Sequence, residues 1–364
     1  MDTSPKLNDS LSCKNCGGVL KFAPGTTSIV CPYCATANEI ASQQKDYQAE
    51  EIDYLQFLEK GLQKEQKQVV TTVKCGGCGA DSTLKPNVTS DNCAFCGTSL
   101  VISSGSTSTI LKPKSLLPFK VQQKEGIELF NDWLGGLWFA PNDISQTRPA
   151  ERLKGMYIPY WTFDSFTYTD YRGERGDDYT VSENYTNSEG QSETRTVTKT
   201  RWYSVSGHVE DDFDDVLVPA TESLPKELIT SLEPWDLENI QPYDDQYLSG
   251  FQTENYHVEL KAGFEIGKEI MKDKIEDHVR NHIGGDHQRV NHTDTKFTEI
   301  TFKHILLPLW ICSYRYNDKI FRFLINARTG EVQGERPYSW IKITLAVIAV
   351  LAVVFAIFYF SRHR

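Results

Sequence analysis

The chain has 364 residues, 39% hydrophobic and 24% charged, with a formal net charge of −11. That length suits two or three folded domains, and the acidity excludes a surface given over to nucleic-acid backbones, which is normally basic, while leaving room for a local basic patch. Eight of the nine cysteines fall in C-x-x-C pairs, Cys13/Cys16, Cys31/Cys34, Cys75/Cys78 and Cys93/Cys96, and Cys312 stands alone. No apolar run follows a basic region in residues 1–12, so no export signal is expected. The paired cysteines then point to metal in a reducing compartment rather than to disulfides.

Residues 1–42 contain CKNC, fourteen residues and CPYC, and residues 73–102 contain CGGC, fourteen residues and CAFC. The two modules repeat with a period of 62 residues, Cys13 to Cys75 and Cys31 to Cys93. Each reads as knuckle, short hairpin, knuckle, a zinc-ribbon pattern. Zn²⁺ takes four thiolates tetrahedrally at about 2.3 Å, and two C-x-x-C turns present four sulfurs from opposite sides of the ion. The spacing therefore assigns two structural Zn²⁺ ions, one to Cys13, Cys16, Cys31 and Cys34, the other to Cys75, Cys78, Cys93 and Cys96. Iron in a rubredoxin-like site is the lesser alternative. Four cysteine ligands leave no open coordination position, which argues against metal catalysis. Glycine follows three of the knuckles, at Gly17, Gly79 and Gly97, where tight backbone is needed, and Ala35 stands in the fourth.

Residues 43–72 read as a helical spacer, with Ile52, Leu55, Leu58 and Leu62 at helical spacing. Residues 103–109 form a Ser/Thr/Gly linker. An α+β domain is expected over 110–338, opening with a helix over Gln123 to Trp138. Ile158-Pro159-Tyr160-Trp161 and Leu307-Pro308-Leu309-Trp310 each open a strand-rich stretch that closes on Gly-Glu-Arg, at 173–175 and 334–336. These read as two related β-hairpin units, and Tyr179 to Val209 reads as a long exposed hairpin turning at Asn187-Ser188-Glu189-Gly190. Helices are expected over Pro225 to Leu232 and Ala262 to Ile283, the latter burying Ile266, Ile270, Ile275, Val279 and Ile283. Ile343 to Phe360 is eighteen residues without a charge, about 27 Å as a helix and close to the roughly 30 Å core of a bilayer. Residues 340–360 are accordingly assigned to a transmembrane helix with Tyr338, Trp340 and Tyr359 as interfacial rings, and 361–364 to a tail. The expected class is α+β: two small four-cysteine zinc ribbons, a mixed α+β domain with β-hairpin units and one C-terminal transmembrane helix.

Other clusters carry less. His278 and His282, i and i+4 on a helix, could share a metal, with His287 and His292 nearby, but histidines at a helix end are commonly there for the dipole. The run Glu210 to Asp215 lacks the glycine and terminal glutamate of a calcium loop. Gly263 to Glu269 fails as a phosphate loop, no other nucleotide-binding or catalytic signature occurs, and Cys312 reads as a small buried hydrophobe. No enzyme is expected.

With these residues in hand, the chain resembles bacterial membrane-anchored proteins with paired transcription-factor-IIB-type zinc ribbons. The resemblance runs from the ribbons through Tyr157 to Trp161, Phe213 to Pro219, Leu232 to Trp235, Ile283 to Arg289, Leu307 to Trp310 and Asn326 to Gly330. Members are often labelled primosomal protein N′ or replication helicase-like, but this chain has neither the phosphate loop nor the length of a helicase motor. Similar proteins encoded beside flotillin-like and phage-shock-type proteins imply an adaptor in membrane stress or organisation, working with a protein partner. The resulting expectation is a single-pass protein of the bacterial inner or plasma membrane with its N-terminal domains cytoplasmic. Flanking charges do not orient the helix; the thiolates, which need a reducing side, do. The competing expectation is nucleic-acid binding through Lys14, Lys21, Lys74 and Lys85 of the ribbons. Neither the partner nor the oligomeric state is legible in the sequence.

Overall fold

The computed structural model describes residues 12–18, 20–26, 28–40, 47–60, 67–77, 79–84, 90–93, 95, 98–101, 106–141, 153–186, 190–317 and 319–362. They form a mixed helix and sheet structure, mostly strand. In the first cysteine module β1 (Ser28–Val30) and β2 (Ala37–Glu39) make an antiparallel hairpin, Ser28 facing Glu39 and Val30 facing Ala37.

The spacer over 43–72 is not one helix. β3 (Ile52–Asp53) leads into a seven-residue helix, α1 (Tyr54–Lys60), and β4 (Lys67–Lys74) is strand. Leu55 and Leu58, read at helical spacing, are 59% and 46% exposed, while Leu62 lies outside the described residues. The reason is tertiary. Ile52 and Asp53 pair with Phe302 and Thr301 at a sheet margin. That pairing turns Tyr54 onto Phe264, ring centroids 4.7 Å apart, and Phe57 onto Phe302 at 5.1 Å. Rings bury more apolar area than leucines, and they win.

The second module contributes β5 (Asp81–Leu84), β6 (Ser90–Asn92) and β7 (Ser99–Val101). The linker assigned to 103–109 is strand from Ser106 onward: β8 (Ser106–Leu111) pairs with β4, Leu111 to Lys67 through Ser106 to Thr72. Thr107, Thr109 and Ile110 are β-branched and suit a ladder, which composition alone does not reveal.

Next come β9 (Ser115–Leu116) and α2 (Gln123–Gly135), which stops short of Trp138 because the Gly135-Gly136 pair ends it. The central strands are long: β10 (Lys154–Thr186) and β11 (Ser192–Pro219). They are followed by α3 (Lys226–Thr230), β12 (Gln241–Pro242), β13 (Gln252–Thr253) and α4 (Leu260–Ile283). β14 (His287–Tyr316), β15 (Lys319–Asn326), β16 (Val332–Gly334) and α5 (Trp340–Arg362) complete the chain. The main sheet runs β11-β10-β14-β15-β16, antiparallel throughout, with β3, β9, β12 and β13 at its margins. The hairpin expected over Tyr179 to Val209 is the distal part of β10 and β11. β14 pairs no further than Gly176, so residues beyond it stand as a two-stranded ribbon.

The two proline motifs lie side by side, the first near the start of β10 and the second in the last third of β14, Tyr157 opposite Pro308, Ile158 opposite Leu307 and Pro159 opposite Leu306. Gly173 to Arg175 is mid-strand rather than an end. The two hairpins repeat the same local contacts. Proline offers no N–H, and each is placed where none is needed. The Pro159 carbonyl accepts from Ala220 N, just past the end of β11; the Pro308 carbonyl accepts from Ala327 N, just past the end of β15. Trp161 Nε1 donates to the Val258 carbonyl and Trp310 Nε1 to the Val121 carbonyl, both at 2.8 Å. Five residues after each valine stands a helical glycine under that tryptophan. A Cβ at Gly263 would meet Trp161 Cδ1 at 2.7 Å, and one at Gly126 would meet Trp310 Cδ1 at 3.5 Å. Thus α2, which precedes the first hairpin, covers the tryptophan of the second, and α4 covers that of the first.

Alternation along the strands divides the core. Tyr157, Trp161, Leu306 and Trp310 face α2, α4 and the first cysteine module; Met156, Ile158, Tyr160, Leu307 and Leu309 face the Leu224 to Ile240 segment and the second module. On α4 the buried face is Phe264, Met271, Ile275, Val279 and Ile283 with Gly263 and Gly267; Ile266 and Ile270 are only half-buried at its flank. The glycines let the helix axis approach the aromatic sheet and so rotate the stripe from the expected one.

Candidate metal centre

Four knuckles share one backbone frame. In each, the N–H of the first cysteine donates to the carbonyl five residues on: Cys13 to Gly18, Cys31 to Thr36, Cys75 to Ala80 and Cys93 to Thr98, all 2.8–2.9 Å. The return bond, from the fourth residue on to the cysteine carbonyl, is made by Gly17, Ala35 and Gly79. That residue is left-handed each time, at φ 71°, 58° and 78°.

In the first module the frame gathers Cys13, Cys16, Cys31 and Cys34 so that the four sulfurs lie within 4.8 Å of one another. Cys13 to Cys34 and Cys16 to Cys31 are both 3.6 Å. A disulfide would need about 2.05 Å. A tetrahedral thiolate site with bonds of about 2.3 Å needs roughly 3.8 Å between sulfurs. The quartet fits a metal ion. Hydrogen bonds from the Thr36 side chain and backbone pull the Cys34 thiol down to about 6, and the backbone N–H groups of Cys16 and Asn15 lower Cys13. Cys16 moves the other way. The Gly18 N–H pulls it down, but hydrogen bonds with Cys34 and Cys31 and burial together push it up to about 12. Cys34 and Cys13 thus ionise early, and the thiolate is the form that binds metal.

Sequence reasoning missed Asn38. Buried between the hairpin and the quartet, it accepts from Lys14 N at 3.1 Å and donates to the Thr36 carbonyl at 2.9 Å, with Nδ2 3.8 Å from Cys13 Sγ. It ties both knuckles together as an outer-shell residue does. An asparagine at a strand position is the signal that was there to find.

The module is fixed to the sheet domain. Leu20, Phe22, Ile29 and Ile40 belong to the same apolar cluster as Phe119, Tyr157 and Trp310. Phe22 stands edge-on to Tyr247 at 5.3 Å, Phe22 N donates to the Ser249 carbonyl, and the Ser249 hydroxyl donates to the Leu20 carbonyl. In the second module Cys75 and Cys93 are buried beside Phe95 and Leu100, while Cys78 and Cys96 lie outside the described residues.

The histidines take separate partners: His278 with Asp211 at 2.7 Å, His282 with the Tyr171 hydroxyl at 2.8 Å, His287 with Asp178 at 3.1 Å. Among the described residues none enters a metal-sized group; the second such group is Asp164, Asp214 and Asp215. Those carboxylates already have a cation. Lys303 Nζ lies 2.8 Å from Asp215, 3.3 Å from Asp164 and 3.2 Å from Glu51. Burial alone would lower this ammonium, but the Asp215 hydrogen bond and the charges of Asp164, Asp215 and Glu51 hold it above the ordinary lysine range. Asp164 also accepts from Asp215 N and from the Thr301 hydroxyl, pinning a bulge in both ladders of β10, where Asp215 and Glu299 take left-handed φ. Other marked motifs are joints too. Arg328 grips Asp236 through two nitrogens at 2.8 and 2.6 Å, and Arg289 lies 3.8 Å over the Trp202 ring. Cys312 is buried in β14.

At the other end α5 is long and apolar enough to cross a membrane, and every residue described in it is exposed or half-exposed. Its foot meets the turn after α2: Ser339 N donates to the Phe139 carbonyl and Lys342 Nζ to the Ala140 carbonyl, both 2.7 Å.

The sequence is 26% identical over 334 residues to the uncharacterized protein YdjG of Bacillus subtilis (strain 168), an alignment covering 91% of this chain and 90% of that protein. No family model and no solved structure matches the chain.

Proposed function

We propose that this protein is a non-catalytic adaptor anchored in the bacterial cell membrane by α5, its two four-cysteine zinc ribbons presented in the cytoplasm to a protein partner. One observation carries the reading. The four sulfurs of Cys13, Cys16, Cys31 and Cys34 lie within 4.8 Å of one another, a set that would saturate one ion, and their module shares a core with the domain that ends in α5. A saturated ion builds a surface and does no chemistry. An all-thiolate donor set supports zinc, and the same backbone frame at Cys75 and Cys93 supports a second ion with Cys78 and Cys96. The cytoplasmic placement rests on the need for reduced thiols.

The test is elemental analysis and partner recovery on the full-length, detergent-solubilised protein. About two zinc ions per chain are expected, falling to one in the Cys75→Ser/Cys78→Ser variant, together with loss of a co-purifying protein. Unchanged partners in that variant would remove the second ribbon from the contact surface. A DNA affinity that falls steeply with salt would instead favour phosphate contacts by the ribbon lysines.

A further inference from the structure

We infer that the turn after α2 is a second membrane contact, with Trp138 and Phe139 seated in the bilayer interface beside the first turn of α5. The inference rests on the proposed insertion of α5 and goes beyond it: a lone helix only tethers a domain, whereas two contacts fix its tilt. Trp138 is 84% exposed and Phe139 42%, in a chain whose other tryptophans outside α5 are buried or half-buried. A side chain of that size left in water needs a reason. The turn displaying it is not loose, since Leu137 N bonds the Leu134 carbonyl and Ala140 N the Leu137 carbonyl.

Its position supplies the reason. The Phe139 and Ala140 carbonyls accept directly from Ser339 N and Lys342 Nζ, about 200 residues later in the chain. The turn therefore sits at the level where α5 begins. Tyr338, Trp340 and Ile341 are also exposed there, and Arg336 lies 5.4 Å from the Tyr338 ring centroid. Amphipathic rings with a basic group beside them, at the end of an apolar helix, are the composition that partitions into the headgroup region. Trp138 and Phe139 extend that belt from the helix onto the domain. The continuity with α5 selects lipid as the occupant.

The experiment uses the full-length protein in phosphatidylcholine vesicles prepared with or without acyl-brominated lipid, which quenches nearby indoles. Wild type should lose emission in brominated vesicles, and Trp138→Phe and Trp340→Phe should each remove a comparable share of that loss. Trp202→Phe, on the ribbon, should leave it unchanged. If Trp340→Phe reduces the quenching and Trp138→Phe does not, the second contact is refuted while the anchor stands. If neither variant reduces it, the anchor reading fails and the contact with it.

Discussion

Ala35 occupies a left-handed position, φ 58°, that Gly17 and Gly79 fill in the other described knuckles. A Cβ there costs about 1–2 kcal/mol, partly offset because glycine loosens the unfolded chain. Ala35→Gly should therefore stabilise the first module by roughly 0.5–1 kcal/mol, seen as slower release of added zinc to a chelator. His304 sets an acid limit of a different kind. It is buried against Trp161, ring centroids 4.6 Å apart, and desolvation, offset only slightly by the Leu111 backbone, pulls its pKa down to about 3. Because the folded value lies below the unfolded 6.5, the neutral ring favours folding above that pH. The contribution is lost as pH falls from 6.5 toward 3. At about pH 5 the loss is about 2 kcal/mol. His304→Phe should flatten the denaturation midpoint over that interval; an unchanged pH slope would sink the assignment.

Two helices reach the sheet through glycine, and they differ in how tightly. Gly263→Val sets branched carbons against Trp161 and should cost about 1–3 kcal/mol from overpacking, a drop of several degrees in thermal midpoint. Gly135→Ala, with nothing within 4 Å of its Cβ, is the control and should be neutral or slightly stabilising. These contacts also mark where sequence reading stops. The Cys13, Cys16, Cys31 and Cys34 quartet is legible because four groups that converge on one point must keep a fixed local spacing. The apolar run of α5 and the long ribbon are legible for the same local reasons. The exchange of helices between the hairpins is not, since Val121 meets Trp310 across 189 residues. Yet a trace of it stands in the sequence: Val121-x-x-Lys124-x-Gly126-x-Glu128 recurs as Val258-x-x-Lys261-x-Gly263-x-Glu265. Leucine periodicity misleads in the spacer because it competes there with pairing to Thr301 and Phe302, far along the chain.

As a whole, the molecule carries a helix long and apolar enough to cross a membrane on a domain whose core does not depend on it. Deleting residues 340–364 should give a water-soluble chain with an unaltered β-rich circular dichroism spectrum; aggregation with loss of that spectrum would mean α5 completes the fold. Trp138, Phe139 and Tyr338 would remain although Trp340 and Ile341 are lost, so weak vesicle binding should persist. The ribbon has its own consequence. β10 is 33 residues long, a contour of roughly 110 Å at about 3.3 Å per residue, and its distal pairing is in strict register from Gly176/Trp202 to Thr186/Ser192. That regularity makes it a graduated ruler. Removing Thr180 and Val181 together with their opposite numbers Thr198 and Val197 would keep every remaining side chain on its face and shorten the reach by about 7 Å. Removing a single pair would instead turn the whole tip over. The distance from the sheet to the tip would change in even steps with the first kind of change, and the second would present the opposite face at the tip.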